Sequence, residues 1–216
     1  MSRRGKSNEQ LKRTRGQRKP RKLILIVVEG EETEFNYFKA IKKELRLPTT
    51  EIQVCSGSGG DPCKVVEKAN SYRNQMTSKP DEVFCVFDYD NKREQYEQAI
   101  KKAQDYGFEE SITSIPCFEI WLLLHFRYTS RSFQNCSEVG TQFQREFVNT
   151  SSVNKTTNYD KSLNYYNLLK DKLKQAIENA ERLEKEQQEI DQVHANPSTK
   201  VHLLVKKLRE EKAKVP

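Results

Sequence analysis

The chain has 216 residues, 35% hydrophobic and 32% charged, which is enough apolar side chain for one core with polar helices around it. Its longest apolar runs, LILIVV and IWLLL, fall well short of the roughly 18 residues that span a bilayer, and the basic N-terminus lacks the apolar stretch of a secretory signal. The formal net charge of +7 belongs to one end, because residues 1–22 hold ten basic side chains and one acidic, so the other 194 residues sum to −2.

Five cysteines, at 55, 63, 85, 117 and 136, show no CxxC pairing and no His at zinc-finger spacing. That usage points to free thiols in a reducing cytoplasm and away from a disulfide or zinc scaffold. The segment 1–22 has no apolar periodicity and reads as a tail that is disordered when free. Its Arg13, Arg15, Arg18, Lys19, Arg21 and Lys22 suit nucleic-acid phosphates, which basic arms bind through counterion release. A solubilising or partner-docking tail is the alternative.

The elements then follow in order. A β-branched run at 23–28 is a buried strand, followed by a helix over about 33–46 with Phe35, Phe38, Ile41 and Leu45 on one face and Pro48 beyond its end. A weaker strand at 51–55 leads into SGSGGDP, where Asp61 caps and Pro62 opens a helix to about 76. The third strand is 83–87, then a polar helix over about 92–106 closes at Gly107. A fourth strand at 111–115 precedes Pro116 and the apolar helix 117–126. Strands alternating with helices in this way predict βαβ units and a parallel sheet.

Residues 127–158, rich in Ser, Thr, Asn and Gln, read as a variable loop or insert. A long polar helix is expected over about 160–191, with a stripe from Leu163 to Leu183, and a last one over 199–212 capped by NPST. The organisation is therefore a basic tail (1–22), an α/β domain (23–126), an insert (127–158) and C-terminal helices packing on the domain (159–216).

The chemistry lies where strands end. The first strand runs into Glu29-Gly30-Glu31-Glu32-Thr33-Glu34, and the third into Asp88-Tyr89-Asp90-Asn91. In open α/β sheets ligands bind at the carboxyl ends of strands, so both strands deliver carboxylates to one rim. Carboxylates gathered without matching cations suit a hard divalent ion such as Mg²⁺. Glu31 and Glu32 read better as helix-start acids that complement the macrodipole. Glu119, a lone acid at the head of the apolar helix, is either a further ligand or a helix-start acid. His125 reads as a core residue, and His194 and His202 as structural or exposed. The glycines of SGSGGDP lack the GK[ST] of a P-loop and read as a turn.

These segments resemble the Toprim domain of topoisomerases, bacterial primases and OLD-family nucleases. There, a Glu after the first strand and a DxD after the third build an Mg²⁺ site for phosphodiester chemistry. They resemble more closely the RloB-like family, a Toprim relative found among bacterial defence and restriction-linked genes. Its EGxxTExxYF pattern is matched by Glu29, Gly30, Thr33, Glu34, Tyr37 and Phe38, and its FDxD by Phe87, Asp88 and Asp90. A PCFExWLLLHF-like segment (116–126) and an NPST (196–199) complete the likeness, which covers about 23–205. AbiL-type abortive-infection systems look similar in pairing such a protein with an ATPase.

The resemblance implies a Toprim-like, Rossmann-like sheet of four parallel strands flanked by helices, with a helical C-terminal extension. It implies an Mg²⁺- or Mn²⁺-dependent nuclease acting on DNA or RNA, tRNA included, in antiphage defence and under an ATPase partner. Glu29 would act as general acid/base or metal-bridging carboxylate, Asp88 and Asp90 as ligands, and Glu34 and Glu119 as further ligand or catalytic candidates. The rival reading is a non-catalytic subunit that binds nucleic acid and an ATPase; nucleotidyl transfer ranks behind it. A strand-passing topoisomerase needs far more protein than this.

Overall fold

The computed structural model describes residues 22–54, 60–150, 160–189 and 195–213. The N-terminal half alternates strand and helix: β1 (Ile24–Val28), α1 (Thr33–Leu45), β2 (Thr50–Val54), α2 (Pro62–Gln75), β3 (Glu82–Asp88), α3 (Arg93–Asp105) and β4 (Ile112–Ile115). Then follow α4 (Glu119–Leu124), α5 (Cys136–Thr150), α6 (Tyr165–Leu169), α7 (Leu173–Glu189), β5 (Ser198–Thr199) and α8 (Val201–Ala213).

The sheet runs β2-β1-β3-β4-β5. The first four strands are parallel and β5 pairs antiparallel with β4 through Ser114 with Thr199 and Ile115 with Ser198. The sequence reading gives four strands, and the fifth corrects it. Two polar residues carry no strand periodicity, and the NPST segment spends Ser198 and Thr199 on the ladder as well as on the helix that follows. Thr199 Oγ1 still accepts from the Val201 amide at 3.3 Å.

Both faces of the sheet are covered, which is why β1 is buried at all five positions. Ile24, Ile26 and Val28 join the larger core with Phe84 and Val86, beneath helices that bring Tyr37, Phe38, Trp121, Phe143, Leu173 and Leu204. Leu25 and Val27 point the other way with Cys85 and Phe87, against Val65, Val66 and Ala69 of α2 and Ala99 of α3. Each large apolar side chain so buried contributes roughly 1.5–3 kcal/mol.

Where a variable loop is expected, Cys136–Thr150 forms a helix. Val139, Phe143 and Phe147 are buried at intervals of one helical turn, and the polar residues between them face outward. Residues 151–158 lie outside the described residues. The long helix expected over 160–191 is instead α6, a 3-10 turn at Lys170–Lys172 and α7. Tyr166, Leu169 and Leu173 stay buried across the break, while the turn itself buries no side chain.

α8 seals the larger core with Val201, His202, Leu204, Val205 and Leu208. It also reaches the opposite end of the sheet from the rim: Lys207 Nζ lies 2.7 Å from Glu82 Oε1 at the start of β3, and Lys22 bonds the same oxygen. No helix among the described residues is long and apolar enough to cross a membrane. Cys63, Cys117 and Cys136 are free thiols, Cys85 is buried in β3, and Cys55 is outside the described residues.

Candidate active site

The chain leaves β1 for β2 on one side and reaches β3 on the other, so the carboxyl ends of β1 and β3 flank the point where the strand order reverses. That crevice is the ordinary ligand site of such sheets. Glu29 stands in it, with its amide donating to Val86 O at 3.0 Å and its Oε2 accepting from the Asp88 amide at 3.3 Å. The two strand ends are thus tied through the very residues that bear the acids.

After β3 the chain turns at once. Asp90 and Asn91 have φ of 46° and 57°, left-handed values that Asp and Asn tolerate better than other side chains. Lys92 N donates to Tyr89 O at 2.9 Å and closes the turn, while Tyr89 and Asp90 amides bond Ser114 O (3.0 Å) and Pro116 O (3.3 Å). The Asp90 loop is therefore pinned to the end of β4. Cys136 Sγ, at the start of α5, sits 3.1 Å from Asp90 Oδ1.

Glu34 occupies the first turn of α1, and its carboxylate folds back over Gly30: a methyl group on Gly30 would lie 1.9 Å from Glu34 Oε2. Gly30 matters here for close approach and not for a left-handed turn, since its φ is not positive. Glu119 heads α4 at 9% exposure, between Phe118 and Ile120.

The electrostatics join these five acids into one group. Burial pushes the Asp88 carboxyl well above its ordinary range, and the charges of Glu34, Glu119, Glu29 and Asp90 add to it. Burial, followed by Glu119 and Glu29, pushes Glu34 up to about 7 against the opposing hydrogen bond of its own amide. Glu29 is raised by burial and by Asp90, against the Asp88 amide and Lys92. Asp88, Glu34 and Glu29 are thus all shifted toward the protonated form by burial and by one another's charge.

An all-oxygen donor set of this kind fits Mg²⁺ or Mn²⁺ chemically. Among the described residues no three His, Cys, Asp or Glu side chains converge at ligating spacing. Mg²⁺ seldom takes an all-protein cage; it keeps waters and uses one or two carboxylates with substrate phosphate, which this rim can supply.

Two residues that the sequence reading passed over belong to the rim. Lys92 Nζ donates to Gly60 O at 2.5 Å, and Gly60, at φ +71°, is placed so that a methyl group there would lie 3.7 Å from Asp90 Oδ2 and 3.8 Å from Glu29 Oε1. The end of the SGSGGDP turn thus reaches the acids; residues 56–59 of it lie outside the described residues. Glu31 and Glu32 are exposed ahead of α1.

Lys22 is not brought to the rim. It lies at the start of β1, paired with Glu82, at the other end of the sheet. Arg13, Arg15, Arg18, Lys19 and Arg21 lie outside the described residues, as does His194. His125 is buried, its Nδ1–H donates to Trp121 O at 2.9 Å, and burial pushes its pKa down to about 4, so it is a neutral core residue. His202 is likewise fully buried, 3.3 Å from Glu184.

The family model described as RloB-like protein matches residues 24–208, from the first residue of β1 to within α8. No curated protein and no solved structure matches the chain.

Proposed function

The chain belongs to the RloB-like family, and from that premise we propose that it is a Toprim-type, Mg²⁺- or Mn²⁺-dependent nuclease that cleaves DNA or RNA in antiphage defence under the control of an ATPase partner. The observation that carries this reading is the gathering of Glu29, Glu34, Asp88, Asp90 and Glu119 at the strand-order reversal, with Asp88, Glu34 and Glu29 all shifted toward the protonated form. Structural acids on a surface have no need of such an arrangement.

Asp88 and Asp90 would hold the ion, with Glu34 and Glu119 as further oxygen donors. When bound, that ion supplies Lewis-acid charge to the phosphodiester and acidifies a bound water. Glu29, whose pKa burial raises, takes or returns the proton as general acid/base. Lys92 offers a fixed positive charge beside Glu29 for charge developing on the phosphate. An ATPase partner would restrain an activity that is toxic when free.

Cleavage of plasmid DNA, single-stranded DNA and total tRNA, with Mg²⁺ or Mn²⁺ and with or without a candidate ATPase, tests this reading. Wild type is expected to cut one class of substrate, and Asp88→Asn/Asp90→Asn or EDTA to abolish cutting. No cleavage in any arm, with nucleic-acid binding equal in wild type and variant, would replace it with the reading of a non-catalytic binding subunit.

A further inference from the structure

Beside the acidic rim, between the end of α4 and α5, opens a cavity of about 560 Å³. Its floor is Leu123 and its walls are mostly polar, with Arg127, Arg131 and Arg145 set against one acid, Glu138. Three arginines to two glutamates, counting the Glu146 that pairs with Arg127, leave the hollow positive on a body whose residues 23–216 sum to −2. The guanidinium groups are held but remain open to solvent. Arg127 pairs with Glu146 at 3.3 Å and Arg131 with Glu138 at 2.8 Å, and these arginine side chains are 54% and 60% exposed. Arg131 also stacks on the Phe133 ring, 4.6 Å from its centroid, and Arg145 is exposed.

The cavity wall is physically joined to the rim. Asn91 Nδ2, in the Asp90 turn, donates to Gln134 O at 3.3 Å, and Cys136 bonds Asp90 from the start of α5. A ligand lying across this joint meets carboxylates on one side and guanidinium forks on the other. That polarity matches a phosphodiester strand, with the phosphate under attack at the acids and its neighbours on arginines, whose planar donors fit phosphate oxygens in pairs.

We propose that this cavity seats the sugar–phosphate strand next to the scissile phosphate, with Arg127, Arg131 and Arg145 binding its phosphates. The assignment rests on the nuclease reading of the rim and adds to it a defined path for the substrate.

Binding of labelled single-stranded DNA and RNA to the full chain, followed by fluorescence anisotropy in EDTA across a salt series, tests the path without requiring cleavage. Arg127→Gln/Arg145→Gln is compared with wild type and with Lys174→Gln/Arg209→Gln, which removes equal charge from α7 and α8. The cavity variant is expected to bind about tenfold more weakly, and its slope of log K against log salt to flatten by about 1.4, near 0.7 per lost phosphate contact. Arg145→Gln alone, at an exposed position that leaves folding intact, should flatten it by about 0.7. The better-bound oligonucleotide names the strand type. Slopes unchanged in both cavity variants, an equal fall in the control, or no binding by wild type would overturn the assignment. Failure of the nuclease reading looks different: binding that depends on these arginines, with no cleavage by wild type.

Discussion

Glu34 shows what crowding does to an acid at the rim. A carboxyl at about 7 when folded and near 4.5 when unfolded holds more protons in the folded state between those values, so folding weakens as pH rises through that window. The penalty is complete above pH 7 and amounts to at most about 3 kcal/mol. His125 acts in the opposite sense, because its folded value near 4 lies below the ordinary 6.5 and stability falls as pH drops between them. The useful quantity is therefore the difference between wild type and Glu34→Gln. In EDTA the two should melt together near pH 4, below that window, while at pH 8 the variant should be the more stable, and Mg²⁺ should narrow that gap. Equal melting at both pH values would show that Glu34 carries no such strain. Glu29, Asp88 and Asp90 were legible in the sequence because a carboxylate directly after a buried apolar strand has few structural uses. Lys92 was not, since a lysine at the head of a polar helix looks like any solvated one. The role of Gly30 as clearance for the Glu34 carboxylate was not legible either, because it depends on a side chain four positions on.

At the level of elements, β1 and β3 were readable because both faces are buried and their apolar runs are unbroken, while β2 and β4, more polar, were readable from the alternation of strand and helix around them. α5 was hidden by its composition. Its apolar positions, Val139, Phe143 and Phe147, keep a helical interval, but Ser, Thr, Gln and Asn dilute them below notice. Phe143 packs against Phe126 (6.0 Å between centroids), Phe147 (5.7 Å) and Tyr165 (5.2 Å), which ties α5 to α4 and α6. Phe143→Ala should cost about 3–5 kcal/mol in urea unfolding, the loss expected for emptying a filled aromatic site. A loss under about 1 kcal/mol would mean that α5 is a detachable cover and not part of the core. β5 could not be read at all: two polar residues become a strand only because β4 offers them a ladder.

For the molecule as a whole, stability depends on ties between distant segments. Glu82 is buried at the start of β3, and although burial raises its pKa, hydrogen bonds from Lys207 and Lys22 outweigh that and hold it below its ordinary range. Lys207→Ala leaves that carboxylate to Lys22 alone, so about 1–3 kcal/mol of stability should be lost at pH 7, and the loss should shrink as pH falls through the acid's lowered range. A variant that unfolds like wild type at pH 7 would show that α8 is held by its apolar face alone. The two margins of the sheet have a consequence for association. The outer strand on one side, β5, has only two residues. On the other, β2 carries Glu51, half-exposed and 3.9 Å from Lys42. An edge so short, or one bearing a charge, is a poor template for a foreign strand. Edge-to-edge stacking of copies is discouraged on both flanks, and another protein that joins this chain must come to its helices and loops and not to its sheet.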